Sequence, residues 1–300
     1  MISCINLFGG NNMNQTQDFT KGVIWKQLLF FFFPILIGSF FQQLYNTVDT
    51  IIVGQAVGTS ALAAVGSTGN LTNLIVNFYV GLSTGASVVI AQYYGAQNNK
   101  KIHQAVHTSY ILAIVSGILM MLFGLFFSYQ CLDAIGTPHD ILNDATLYMQ
   151  LYFLCMIPGA IYNIGAGILR AVGDSKRPLY YLIVCSIVNV VFDFIFVVIF
   201  HQGIAGAAIA TVIAQSVCAI LVTIQLMRTN EVYKLTLSKM KFHLPVLKKI
   251  IMIGAPAGIQ STMYSISNIV LQSHINAFGT QTIASWSVYV KIDALFWMMI

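Results

Sequence analysis

Two aspartates stand inside runs of apolar sequence where a charge is costly. Asp49 closes a stripe of Gln42, Tyr45, Asn46 and Asp49, spaced i, i+3, i+4, i+7, so that all four share one helical face. Further along, Ser186, Asn189 and Asp193 repeat that periodicity, and Thr211 and Gln215 follow at i, i+4 in the next run. A buried carboxylate must share a proton, bind a cation or face water. Counting at 1.5 Å per residue from the nearest run ends, Asp49, Asp193 and Thr211 all fall roughly 9–12 Å below the same boundary. Polar glue between helices accounts for Thr or Gln alone; it does not call for two negative charges at one depth. The predicted chemistry is coupling to H⁺ or Na⁺. Hard oxygens suit Na⁺, a carboxyl able to carry a proton suits H⁺, and both stay open.

Lys291 and Asp293 form a second charged pair, about ten residues into the last apolar run. At i, i+2 they do not face each other on a helix, so each is expected to find its partner elsewhere. Pro34 and Gly38 lie below Asp49 in the first run and suggest a bend there, since membrane helices tolerate proline.

The elements that position these groups follow from composition. Apolar residues make up 57% of the 300 and charged ones 8%, a balance that would leave large apolar patches on a water-soluble globule. The expected fold is an all-α integral membrane protein, a polytopic helical bundle. Apolar runs fall at about 27–54, 61–92, 105–130, 142–169, 178–200, 204–227, 249–276 and 282–300, each near the roughly 20 residues that span a bilayer. Of the fourteen Lys and Arg, all but Lys291 fall in alternate connections, which the positive-inside rule assigns to the cytoplasm with the N-terminus. The net charge of +5 is then a topological signature and implies no nucleic-acid partner.

The sequence starts over after residue 248. Pro34 in the first run is matched by Pro256 in the seventh, and Gly58-Thr59 by Gly279-Thr280. Both runs leave from the same side, so the repeat is parallel. The expected organisation is a polar tail at 1–23 and a complete six-helix N-lobe at 24–228. A cytoplasmic linker at 229–248 then leads to the first helices of a second, parallel-repeat lobe at 249–300. The eighth run stops in mid-span, which points to a chain cut short, and Met13 is a candidate for the true start. Cys4, Cys131, Cys155, Cys185 and Cys218 show no CxxC spacing and read as small core residues. His103, His107 and His201 read as interfacial. No HExxH, phosphate loop or GxSxG elbow is present, so no enzyme is expected.

These residues together resemble the multidrug and toxic compound extrusion (MATE) family over residues 20–300. The carriers are Pro34 through Asn46-Thr-Val-Asp49, Ala91-Gln-Tyr-Tyr-Gly-Ala96, Leu169-Arg-Ala-Val-Gly-Asp-Ser-Lys176, Asn189-Val-Val-Phe-Asp193 and Gly206-Ala-Ala-Ile-Ala-Thr211. Lys291-Ile-Asp293 looks like the basic-x-acidic element of the family's eighth helix, with Lys for the more usual Arg. The resemblance implies two six-helix lobes around a central cavity and antiport of organic, often cationic, drug-like compounds against H⁺ or Na⁺. It also implies a cation site, suited to Na⁺, at Asp49, Asn189, Asp193 and Thr211. Pro34, Gln42, Tyr45, Asn46 and Gln215 would line the cavity or bend the helix beside it. A monomer in the inner (plasma) membrane is implied, with no cofactor beyond the coupling ion, and a chain lacking the later helices is expected not to transport alone. The competing reading is a lipid-linked oligosaccharide or polysaccharide flippase. It would need a cationic cavity, and no Lys or Arg lies within the first seven runs.

Overall fold

The computed structural model describes residues 24–297; the polar tail, Cys4, Met13 and residues 298–300 lie outside them. In lipid every backbone N–H and C=O must be satisfied within the chain, and among the described residues the answer is helical throughout. The helices are α1 (Ile24–Ala56), α2 (Thr59–Gly95), α3 (Asn99–Ala134), α4 (His139–Phe153), α5 (Met156–Ala171), α6 (Lys176–Asp193), α7 (Gly203–Arg228), α8 (Leu244–Asn276) and α9 (Thr280–Trp297). A π-helical stretch, Phe194–Ile199, extends α6.

Each expected apolar run is helical, with one break. The fourth run is two helices, α4 and α5, bent by 46° at Leu154-Cys155. Among the described residues five helices are long and apolar enough to cross a membrane, or six if the bent pair forms one span. Apolarity therefore supports six of the eight expected spans. α8 falls short because Gln260, Ser261, Thr262, Ser265, Asn268 and Gln272 interrupt it, and α9 because Lys291, Asp293 and the polar start Thr280-Gln281-Thr282 lower its apolarity. α1 continues unbroken through Pro34.

α2 is the hub of the bundle, packing on α3, α4, α5, α8 and α9. Its tightest neighbour is α8. Gly81 and Gly85 on α2 face Gly254 and Gly258 on α8, and a Cβ on Gly85 would lie 2.6 Å from Gly254 Cα. Both pairs are small-xxx-small motifs, which let two backbones touch. One turn toward the other end, Asn77 Nδ2 donates to Ser265 Oγ at 2.9 Å.

The two glycines singled out by the repeat do equivalent work. Gly58 (φ 115°) and Gly279 (φ 87°) each take the left-handed region one residue before a Thr that starts a helix, a conformation glycine adopts without a Cβ clash. The segment after Arg228 is polar in sequence yet firmly docked. Tyr233 and Leu235 are buried, Leu235 N donates to Leu226 O, and a 3₁₀ turn at Leu237–Lys239 follows. His107, expected at the interface, is buried beneath this segment. Its Nδ1 donates to His103 O at 2.7 Å, leaving Nε2 to accept from Thr236 N at 3.1 Å. Cys155, Cys185 and Cys218 are buried and Cys131 partly so, all free.

Candidate functional site

The site is assembled from α1, α6 and α7, which pack on one another. Asn189 and Asp193 lie one turn apart on α6 and are completely buried. Asn189 Nδ2 reaches Thr211 Oγ1 on α7 at 3.5 Å, while Thr211 Oγ1 donates back to Ala207 O at 3.1 Å. That arrangement leaves Asn189 Oδ1 turned elsewhere. Asp49 on α1 lies within electrostatic reach of Asp193. Four buried oxygens here have no hydrogen-bond partner: Asp49 Oδ1, Asn189 Oδ1 and both Oδ1 and Oδ2 of Asp193.

Buried acceptors are almost always satisfied, and an unmet one costs about 1–3 kcal/mol, more when charged. Four in one place is a concentrated cost. The set consists of carboxylate and amide oxygens with a hydroxyl beside them, which is the donor chemistry of a hard monovalent cation or of a proton. Among the described residues no cluster of three or more His, Cys, Asp or Glu could hold a metal ion; this set instead mixes two acids with neutral oxygens.

Three neighbours surround the cluster, two of them not singled out in the sequence. Tyr148 and Tyr152 on α4 lie close enough to interact electrostatically with Asp49, and Tyr148 also with Asp193. Their i, i+4 spacing was a usable signal, hidden because aromatic pairs of that spacing are common in apolar cores. The third is Lys291, expected to find its partner elsewhere, which lies in electrostatic reach of Asp49. It is aimed there because α9 packs on α2 with Ser287 against Gly66, and Lys291 lies one turn beyond Ser287 on that face. Asp293 is half-buried. Asp49, Asp193 and Lys291 carry two negative charges and one positive, a formal balance of −1.

Below the cluster lies a polar cavity of about 230 Å³, walled by α1, α2, α5, α6 and Gln215 of α7. Pro34, Gln42, Tyr45, Asn46 and Gln215 all line it, so the residues named for cavity or bend share one space. On α1 the lining runs from Pro34 to Asn46, about 18 Å of helix at 1.5 Å per residue. Asp49 follows one turn later, and Tyr152 belongs to both the cavity wall and the surroundings of Asp49. Arg170, assigned by apolarity to a connection, belongs instead to the last turn of α5 and lines the cavity.

A family model described as MatE matches residues 34–195, more than half of the chain. The chain belongs to the MATE family. The matched region includes Asp49, Asn189 and Asp193, with Thr211 beyond its end. Among similar proteins, the probable multidrug resistance protein YoeA of Bacillus subtilis (strain 168) is 28% identical over 295 residues, covering 93% of this chain and 63% of that protein. An inward-facing multidrug resistance MATE family transporter of the MOP superfamily superposes with a TM-score of 0.79 at 27% identity, covering 87% of this chain and 61% of that one. An outward-facing structure described in the same words gives 0.80 at 27% identity over 90% and 60%. The MATE chain described here thus spans about 60–63% of the length of these relatives, and its fold is an all-α polytopic membrane bundle.

Proposed function

We propose that this protein takes part in multidrug efflux, exporting drug-like compounds by antiport against H⁺ or Na⁺ across the cytoplasmic membrane. The observation that carries the reading is the convergence of unpartnered oxygens from Asp49, Asn189 and Asp193 at the end of a polar cavity. The printed names of the relatives, multidrug resistance and MATE transport, supply the substrate class.

In this mechanism Asp49 and Asp193 hold the coupling ion, with Asn189 and Thr211 contributing neutral oxygens. Lys291 offsets one of the two carboxylates, so a single monovalent cation or proton neutralises the remainder. Such a cation satisfies acceptors that nothing else among the described residues reaches, which draws α1 toward α6 and α7. Its departure restores the repulsion between Asp49 and Asp193 and favours a state in which the helices separate. Pro34 and Gly38 give α1 the freedom to follow, since proline removes one internal hydrogen bond. Drug and ion thereby bias the same helix in opposite directions, which is the requirement for antiport. On this reading the basic connections, with the N-terminus and the linker, face the cytoplasm, and the transporter acts as a monomer.

The test is dye efflux from vesicles carrying the full-length protein, with Na⁺ and pH gradients imposed separately. Asp49→Asn and Asp193→Asn should each abolish gradient-driven efflux, and only one of the two gradients should drive the wild type. Undiminished efflux in both variants would sink the mechanism.

A further inference from the structure

Arg170 carries the one charge on the cavity wall, and it is positive. Among the two dozen described residues that line this polar space there is no Asp or Glu. The acid nearest to Arg170 in sequence is Asp174, and it is engaged elsewhere. Its Oδ2 pairs with Arg177 Nη1 at 3.1 Å and its Oδ1 accepts from Arg177 N at 3.1 Å. Arg170 is half-buried and shares the cavity wall with Tyr162, Asn163 and Ser175. Tyr162 gives its hydroxyl proton to Pro178 O and Asn163 gives its amide proton to Gly159 O. Both are thereby fixed in place, and neither carries a charge to answer the guanidinium.

A second cavity, of about 350 Å³, shares Val80, Asn163 and Arg170 with the first, and its wall is mostly apolar, including Phe31 and Val88. Arg170 therefore stands where a polar space meets an apolar one. A cation held partly out of water without a counter-charge is costly, and a guanidinium presents a planar fork that matches an oxyanion in two hydrogen bonds.

We propose that Arg170 is the anchor of an anion subsite that holds the oxyanion of an amphiphilic substrate while its apolar body occupies the adjoining cavity. A zwitterion is the best-matched class. Its oxyanion would meet Arg170, and its cationic end would extend along α1 toward the carboxylates at Asp49 and Asp193. The inference rests on the reading of the cavity as the drug site, and it assigns that site a preference for carboxylate-bearing compounds over their esters.

The experiment compares two probes that differ at one group: rhodamine B, which carries a free benzoate beside its cation, and its ethyl ester, which carries the cation alone. Binding to the purified chain in lipid nanodiscs is followed by fluorescence anisotropy, with empty nanodiscs subtracted. Arg170→Gln should weaken rhodamine B by about ten- to a hundredfold, the range of one charge-assisted pair, and change the ester less than about threefold. Arg170→Lys, which keeps the charge and loses the fork, should fall between. Equal losses for both probes, or no loss for rhodamine B, would overturn the proposal, as would a wild-type chain that binds the ester and not the acid. Phosphatidylglycerol in the nanodiscs adds one arm: competition with rhodamine B supports a lipid phosphate as the natural oxyanion, and its absence supports a soluble one. A misfolded variant is recognised by its melting curve, independently of either probe, and answered by the Lys variant. Because the readout is binding, failure of ion-coupled efflux in Asp49→Asn leaves this result interpretable.

Discussion

The seam between α2 and α8 and the cluster between α1, α6 and α7 are both places where helices meet closely, and they are built on opposite terms. At the seam, Gly81, Gly85, Gly254 and Gly258 bring two backbones together with no side chain between them. The attraction there is van der Waals contact over a matched surface, and nothing polar is left unmet. At the cluster, Asn189 and Asp193 are buried just as fully, yet four oxygens go without partners. The first region is complete in itself; the second is complete only with something added. A protein that must bind, release and move needs one interface of each kind, and substitutions in the two should therefore act with opposite signs on stability.

The largest effect is expected at the seam. Leu in place of Gly85 would drive a side chain into the backbone of α8, where a Cβ alone would lie 2.6 Å from Gly254 Cα. Overpacking costs about 1–3 kcal/mol where side chains can yield, and backbone yields less, so about 3 kcal/mol or more is expected. For a chain of this size that is a fall in melting temperature of roughly 10 °C. Gly69→Leu is the control, because the same helix has open space there, and it should melt within a few degrees of wild type. A seam that tolerates Leu as well as Gly69 does would remove the contrast.

At the cluster the sign reverses. Asp193→Asn removes a buried charge whose two oxygens have no donors, so the variant should be as stable as wild type without added ion, or more stable by about 1–3 kcal/mol. Wild type should gain stability as the coupling ion is added, because the ion binds only the folded chain. Melting curves across Na⁺ concentrations and pH values would show that gain, and Asp193→Asn should abolish it. A destabilised variant that still responds to ion would mean that Asp193 is structural.

Much of this contrast was legible before the fold. The shared depth of Asp49 and Asp193 followed from helical rise and the ends of apolar runs, and the structure brings them within electrostatic reach. Gln42, Tyr45 and Asn46 on one stripe, with Gln215 from another helix, line one cavity, as polar periodicity in an apolar run implies. What escaped was long-range or locally silent. The break at Leu154-Cys155 has apolar residues on both sides, so periodicity continues across it. Lys291 meets Asp49 only because Ser287 seats α9 on Gly66, a contact between distant parts of the chain. Arg170 at the end of an apolar run looks like a side chain reaching for the interface, yet it lines the cavity. The glycines could be recognised as a close-packing motif, but not which helix they would meet.

The smallest expected effect lies at a third contact, intermediate in kind between the other two. The segment after α7 is polar, yet it is held down by Tyr233 and Leu235 in the core and by the hydrogen bond from Thr236 N to His107. His243 N adds a second tie, to Thr108 Oγ1 at 3.2 Å. His107→Ala would leave the Thr236 amide without its acceptor while the buried apolar anchors remain. Global melting should fall by no more than a few degrees, consistent with about 1 kcal/mol for one hydrogen bond. Local opening should change more. Lys234 and Lys239 are exposed beside the tether, and the rate of tryptic cleavage there tracks the population of the opened segment. A several-fold faster cut with little change in melting would show that the segment is fastened by one replaceable hydrogen bond. Equal cleavage rates would mean that Tyr233 and Leu235 alone hold it, placing this contact with the glycine seam as a region secured by packing.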